Sequence, residues 1–170
     1  RTLHWAGLDP DEGVILDNGV VAQKGTNGPY IQSERLDLYR KYADELLEKG
    51  FAYYAFDTKE ELDAMRDREM KAGNPAPKYD ASVRMRMKNS LTMPEEDVKQ
   101  LLADGALYVI RMKIPEGNVV RFTDDIRGNV EFKGIEIDDQ LLLKSDVFPT
   151  YHLAHVVDAH LMKTDLVIRG

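Results

Sequence analysis

The chain of 170 residues contains no cysteine. Disulfide bonds are therefore excluded, and so are zinc and iron–sulfur sites with thiolate ligands. No apolar run approaches the ~18–20 residues that are needed to span a bilayer, and the first residues do not resemble a signal peptide. These absences favour a cytoplasmic protein that does not interact with membranes.

Positively charged residues are fewer than negatively charged residues. The chain has 23 Lys and Arg residues against 30 Asp and Glu residues, and its net charge is −7. This balance argues against nucleic-acid binding over the whole surface, but it allows a local basic patch. With 43% hydrophobic and 31% charged residues, the composition is typical of a globular domain that buries a sizeable core.

Several motifs of catalysis and nucleotide binding are missing. No serine lies in a Gly-x-Ser-x-Gly turn, and neither a Gly-x-x-x-x-Gly-Lys-Ser/Thr loop nor a Gly-x-Gly-x-x-Gly loop is present. Adjacent acidic residues occur, for example at 124–125 and 138–139. Such pairs are usually solvated faces or helix caps.

Helical and strand periodicities both occur along the chain. Ser33 is a good N-cap for a helix that ends before Gly50, and Thr58 opens a second helix that runs to Lys71. A third helix is predicted from about residue 92 to Gly105 and a fourth over 150–162. Strands are predicted near Val20 and over 51–56, 106–114, 119–123, 129–132, 140–145 and 166–170. This order indicates an α/β frame that carries an inserted α+β subdomain.

The predicted helix over 150–162 is rich in histidine. His152, His155 and Asp158 are three residues apart and share one face of a helix. Zinc accepts such ligands, but no His-Glu-x-x-His pattern is present. Hydrogen-bonded or partly exposed histidines are the favoured interpretation.

A local basic strip lies at residues 83–88, VRMRMK. If this segment is extended, Arg84, Arg86 and Lys88 share one face. Arg127 adds to the local positive charge, and such residues neutralise nucleic-acid phosphates. From charge alone, a solvated strand face is about as well supported.

Five segments resemble the bacterial-type glutamyl-tRNA synthetase family. They are GPYIQSER at 28–35, RFTDDIRG at 121–128, LKSDVFPTYHLA at 143–154, and VVDAHLM at 156–162 followed by VIRG at 167–170. The resemblance runs in order over essentially the whole chain, so it is far more specific than one short motif.

This resemblance implies a class I aminoacyl-tRNA synthetase, which activates glutamate with ATP and transfers it to tRNA. Residues 1–50 and 138–170 would form a Rossmann-type catalytic domain, and residues 51–137 an inserted α+β subdomain that binds the tRNA acceptor end. The implied partners are tRNA(Glu), L-glutamate and ATP with Mg²⁺, in a monomeric cytoplasmic enzyme.

The resemblance also implies site residues. Tyr151 and Arg169 match positions that help to bind glutamate, a role suited to a hydroxyl and to a guanidinium that pairs with a carboxylate. His155 stands where the family usually has Asn. A neutral imidazole donates one hydrogen bond, and its protonation adds charge beside the substrate. Val147 is a second departure, because the family often has Gly there.

The basic residues acquire a role by the same resemblance. Arg84, Arg86, Lys88 and Arg127 are predicted to contact the tRNA. Many bacterial relatives also carry zinc-binding cysteines near residues 53–56 and further along the insertion. Because this chain has no cysteine, we expect no zinc.

Two family motifs are not in the chain. HIGH and KMSKS hold ATP and stabilise the charge on the transferring phosphate, and the sequence HWAG at 4–7 is not HIGH. We therefore expect an internal part of a longer enzyme that is inactive by itself. The alternatives are a glutaminyl-type or tRNA-modifying relative and a stand-alone RNA- or metal-binding module.

Overall fold

The computed structural model describes residues 2–168 as a mixed α/β fold. The helices are α1 (Thr2–Trp5), α2 (Leu36–Glu48), α3 (Lys59–Lys71), α4 (Ala81–Arg84), α5 (Glu95–Ala103) and α6 (Tyr151–Leu161), with 3-10 turns at Gln32–Glu34 and Gly134–Glu136. The strands are β1 (Gly13–Asp17), β2 (Val20–Lys24), β3 (Ala52–Ala55), β4 (Val109–Met112), β5 (Val119–Asp124), β6 (Gly128–Lys133) and β7 (Leu141–Leu143). None of the helices over residues 2–168 is long and apolar enough to cross a membrane.

The strands form a three-stranded sheet in the order β3–β4–β7 and two hairpins, β1–β2 and β5–β6. Every pair among these strands is antiparallel. β7 lies in residues 138–170, the second segment of the predicted catalytic domain, whereas β3 and β4 lie in the predicted insertion at residues 51–137. The central sheet therefore joins both segments, and the domain boundaries stay a prediction.

One apolar core joins α2, the central sheet and α6. Tyr39 on α2 and Ile110 on β4 are completely buried, and Leu143 on β7 is nearly so. Leu153 and Val157 complete the contact from α6. Because α6 packs on this core, the core determines where the exposed face of α6 lies.

Helices α2 and α3 were correctly predicted from local sequence patterns. Leu36, Tyr39, Ala43 and Leu46 pack together into the core, as their spacing predicts. The Thr58–Glu61 capping box at the start of α3 is confirmed in both directions.

Two predicted features were wrong, and one strand was missed. Ser33 does not cap α2; it lies in a 3-10 turn, and α2 begins only at Leu36. Residues 166–168 are not a strand. Strand β1 was not predicted from the sequence. The Asn18-Gly19 pair that joins it to β2 was the available signal, because Asn-Gly favours a tight turn between strands. Both residues adopt the positive φ that such a turn requires.

Val147 adopts a strained backbone conformation. Its φ is +63°, in the left-handed region that disfavours β-branched residues. The turn is held in place because the Val147 N–H donates to the carbonyl of Lys144 at 3.0 Å, and the Lys144 N–H donates to that of Phe148 at 3.0 Å. Glycine adopts this φ without strain, which gives a physical reason for the glycine that the family often has here.

Replacing Val147 by glycine is expected to raise the free energy of unfolding by about 1 kcal/mol. The expected increase in melting temperature is about 2–4 °C, measured by thermal denaturation. Val167→Gly is the matched control, because Val167 is similarly exposed (47% against 50%) and has no positive φ. It should leave the melting temperature unchanged or lower it. An unchanged or lower melting temperature for Val147→Gly would contradict the strain at this turn.

Candidate functional site

Tyr151 and His155 lie together on the first turns of α6. Their rings stack with centroids 5.1 Å apart and planes inclined by 11°, because residues four apart share one helix face. Tyr151 is 55% exposed and His155 is half-buried. The helix therefore presents a hydroxyl and an imidazole side by side on its accessible face. Arg169, the third residue predicted to bind glutamate, lies outside the described residues.

Asp158 anchors α6 to α2. Its Oδ1 accepts a hydrogen bond from Nε of Arg35 at 2.9 Å, and the Tyr39 hydroxyl donates to its Oδ2 at 2.9 Å. The Arg35 side chain is only 1% exposed, and its Nη1 donates to the carbonyl of Pro29. Burial and the Asp158 carboxylate raise the pKa of Tyr39 to about 12, so the hydroxyl stays a donor at neutral pH.

Asp158 is one of the three candidate metal ligands on the histidine-rich face of α6. Asp158 is engaged by Arg35 and Tyr39 rather than by a ring of histidines, and His152 is exposed. Within residues 2–168, no group of three or more His, Asp or Glu side chains is placed to hold a metal ion. α6 thus carries a stacked Tyr–His pair and, one turn further along the same face, a carboxylate that is engaged by Arg35 and Tyr39.

A second buried polar cluster surrounds Asp139, which is completely buried. Its carboxylate accepts hydrogen bonds from the Tyr53 hydroxyl at 2.7 Å, from Nη1 of Arg84 at 3.0 Å and from the Ile114 N–H at 3.0 Å. Burial, followed by the nearby Asp139 carboxylate, raises the pKa of Tyr53 well above its ordinary value. Sequence reasoning missed this cluster, because it treated Asp138 and Asp139 as a solvated pair.

The basic strip is not extended, so the condition under which Arg84, Arg86 and Lys88 would share one face is not met. Its first residues lie in α4, which Asp80 caps by accepting from the N–H groups of Ser82 and Val83. Arg84 is 5% exposed and pairs with Asp139. Its guanidinium is therefore part of the interior rather than of a phosphate-binding face.

The other basic residues are exposed but do not form one strip. Arg86 pairs with Glu69 of α3 at 2.9 Å and keeps 53% of its side chain exposed. Lys88 is exposed. Arg127 lies on another element, the β5–β6 turn, where Oδ1 of Asp124 accepts its N–H at 2.8 Å. This hydrogen bond and one from the Ile126 N–H hold the pKa of Asp124 below its ordinary value.

The sequence matches a model of one protein family along its whole length. The model is described as tRNA synthetases class I (E and Q), catalytic domain, and it matches residues 1–170. Among similar sequences, a glutamate–tRNA ligase of Amoebophilus asiaticus is 52% identical over 169 residues, covering 99% of the chain. One of Clostridioides difficile is 49% identical over 171 residues.

A solved structure is similar as well. The crystal structure of a glutamate tRNA ligase from Elizabethkingia meningosepticum, in complex with its amino acid, is 40% identical and superposes with a TM-score of 0.84. It covers 95% of this chain, while the chain covers 30% of that protein. The chain spans about a third of the length of the curated relatives named above.

Proposed function

The chain belongs to the catalytic-domain family of the class I tRNA synthetases for glutamate and glutamine, and from this membership we propose that it is the glutamate- and tRNA-binding part of a glutamate–tRNA ligase. The observation that carries the proposal is the match over the whole chain, at about 50% identity, to proteins named glutamate–tRNA ligase. Because the names of these relatives specify glutamate, we favour glutamate over glutamine as the amino-acid substrate.

The proposed reaction has two steps. L-glutamate and ATP, accompanied by Mg²⁺, give glutamyl adenylate and pyrophosphate, and the glutamyl group then passes to the 3′ end of tRNA(Glu) with release of AMP. Neither HIGH nor KMSKS is in this chain, so we assign none of its residues to ATP. We further propose a monomeric cytoplasmic enzyme that does not bind membranes, with the domain division at 1–50, 51–137 and 138–170.

We assign glutamate binding to the start of α6 and to Arg169. The accessible face with Tyr151 and His155 supports this assignment, since it offers a hydroxyl and an imidazole one helical turn apart. Arg169 would pair with a carboxylate of the substrate through two parallel hydrogen bonds. In this arrangement Tyr151 orients the substrate, and His155 donates a hydrogen bond where the family usually has an amide.

We also propose that no zinc is bound. The segment in which relatives carry zinc-binding cysteines contributes Tyr53 and Ala55 to an apolar cluster with Tyr79, Val83 and Met87. A packed apolar cluster stabilises this part of the fold without metal ligands. For the tRNA contacts, we retain Arg86, Lys88 and Arg127 and assign Arg84 to the interior.

A chimeric enzyme tests the proposed function. In it, these 170 residues replace the homologous segment of the Clostridioides difficile glutamate–tRNA ligase. We expect the chimera to charge tRNA(Glu) with radiolabelled glutamate and not with glutamine. We expect the isolated chain to show no glutamate-dependent ATP–pyrophosphate exchange, because HIGH and KMSKS are absent from it.

The control is the same chimera with Tyr151→Ala, which should fold normally and lose charging at low glutamate concentration. A folded chimera that binds tRNA but charges no glutamate would contradict the proposed function. Exchange activity in the isolated chain would contradict the assignment of ATP binding to the missing motifs.

A further inference from the structure

Asp158 lies on the same face of α6 as the residues to which we assign glutamate binding. It follows His155 by three positions and Tyr151 by seven, and residues at these spacings line one side of a helix. At 1.5 Å per residue, Asp158 is about 4.5 Å along the helix axis from His155 and about 10 Å from Tyr151. The face that presents the hydroxyl and the imidazole therefore continues into a carboxylate.

Two donors from the start of α2 hold this carboxylate. Arg35 is the residue immediately before α2, and Tyr39 lies one turn further along. Nε of Arg35 donates to Oδ1 of Asp158 at 2.9 Å, and the Tyr39 hydroxyl donates to Oδ2 at 2.9 Å. Both donor side chains are buried, and the Arg35 guanidinium is held from behind by the carbonyl of Pro29. Both oxygens of Asp158 therefore accept hydrogen bonds from groups that are themselves fixed in the interior.

The apolar contact of α6 defines its rotation less sharply than these hydrogen bonds do. Leu153, Ala154 and Val157 pack on the core, and the hydrophobic effect that holds them is non-directional. If a helix turns by about 10° about its axis, a side-chain atom about 6 Å from the axis moves by about 1 Å. Hydrogen bonds depend steeply on distance and angle, so the bonds to Asp158 oppose such a rotation.

We propose that Asp158 is a positioning residue for glutamate binding. Held by Arg35 and Tyr39, it sets the rotation of α6 and with it the direction in which Tyr151 and His155 face the substrate. The inference rests on the proposed function and deepens it, because it adds to the glutamate site a residue that acts through the two binding residues. A displacement of about 1 Å at a group that positions a substrate costs up to about 100-fold in activity.

A purely structural role of Asp158 predicts a different kinetic result. Loss of the ion pair would then lower the fraction of folded enzyme and the apparent kcat, while the folded molecules would keep their KM for glutamate. A positioning role raises the KM for glutamate. It leaves the KM for ATP unchanged, because none of the residues of this chain is assigned to ATP.

The experiment measures the KM for glutamate and the KM for ATP in the chimeric enzyme that carries these 170 residues. Asp158→Asn keeps the size of the side chain but removes the charge that pairs with Arg35. We expect the KM for glutamate to rise at least about tenfold and the KM for ATP to change by less than about twofold.

Val157→Ala is the matched control for Asp158→Asn. It removes buried apolar contact from the neighbouring position of the same helix and leaves the Asp158 carboxylate in place. Both KM values of this variant should stay within about twofold of those of the unmodified chimera, although its stability decreases.

A double-mutant cycle tests whether Asp158 acts through Tyr151. Tyr151→Phe removes only the hydroxyl, so it should raise the KM for glutamate by itself. In that background Asp158→Asn should raise the KM for glutamate by less than about threefold, because the contact that it disturbs is already lost.

Three results would each overturn the inference and leave the proposed function standing. They are an unchanged KM for glutamate in Asp158→Asn, an equal rise in Val157→Ala, and full additivity with Tyr151→Phe. An unmodified chimera that charges no glutamate would contradict both the inference and the proposed function.

Tyr39→Phe replaces Asp158→Asn if the latter chimera does not fold. It removes one of the two donors and keeps the ion pair with Arg35, so we expect a rise of about threefold in the KM for glutamate at an unchanged KM for ATP. Its control is Tyr42→Phe, which removes a hydroxyl from the same helix at a half-buried position. Equal KM values in these two variants would overturn the inference.

Discussion

Replacing Asp139 by alanine is expected to lower the free energy of unfolding by about 3–5 kcal/mol. The substitution leaves the guanidinium of Arg84, which is 5% exposed, without its carboxylate partner. It also removes the acceptor of the Tyr53 hydroxyl and of the Ile114 N–H. Because a typical domain is stable by only about 5–15 kcal/mol, urea denaturation should show a large decrease in the midpoint concentration.

Asp138→Ala is the control for position 139. Asp138 is half-buried and accepts one hydrogen bond from Gln140, so its loss should cost less than about 1 kcal/mol. The double variant Arg84→Met/Asp139→Leu should recover much of the stability, since an apolar pair needs no buried countercharge. Equal effects of Asp138→Ala and Asp139→Ala would show that the buried ion pair is not the source of the stability.

Replacing Arg35 by alanine should have the second largest effect, a loss of about 2–4 kcal/mol. The Arg35 side chain is 1% exposed, and its partner Asp158 is 29% exposed, so water compensates the remaining carboxylate only in part. The variant also loses one of the two side chains that bind Asp158 of α6, and the Tyr39 hydroxyl of α2 remains as the other donor. Urea denaturation gives the change in stability, and near-ultraviolet circular dichroism reports the packing of aromatic residues.

Arg66→Ala is the matched control for Arg35. Arg66 is the same residue type and pairs with Asp63 at 2.7 Å, but both side chains are more than half exposed. Its loss should cost at most about 1 kcal/mol. If the two variants lose the same free energy, the buried position of Arg35 does not matter and α6 is held by its apolar face alone.

The sequence predicted those features that depend on neighbouring residues. The capping box at Thr58 needs only Glu61, three positions away, and the core face of α2 follows from its own spacing. The capping of α2 was misjudged because the Gln32–Glu34 turn comes before it. Local rules sufficed wherever the hydrogen-bonding partners belong to the same turn.

The buried charges could not be predicted in the same way. Arg84 and Asp139 are 55 positions apart. No local sequence pattern indicates that their side chains form an ion pair in the interior. One signal was available, because Asp139 lies two residues before the apolar strand β7. For the site, the resemblance indicated Tyr151 and His155 in advance, and the structure adds the stacking of their rings.

The anchoring of α6 by Arg35 has a consequence for synthesis on the ribosome. Arg35 and Asp158 are 123 positions apart in the chain, so roughly 6–25 s separate their appearance at 5–20 residues per second. For most of that interval α2 is complete, while α6, the helix that packs against it, is not yet synthesised. The nascent chain therefore carries an uncovered apolar surface for seconds, and this core closes only when α6 leaves the ribosome.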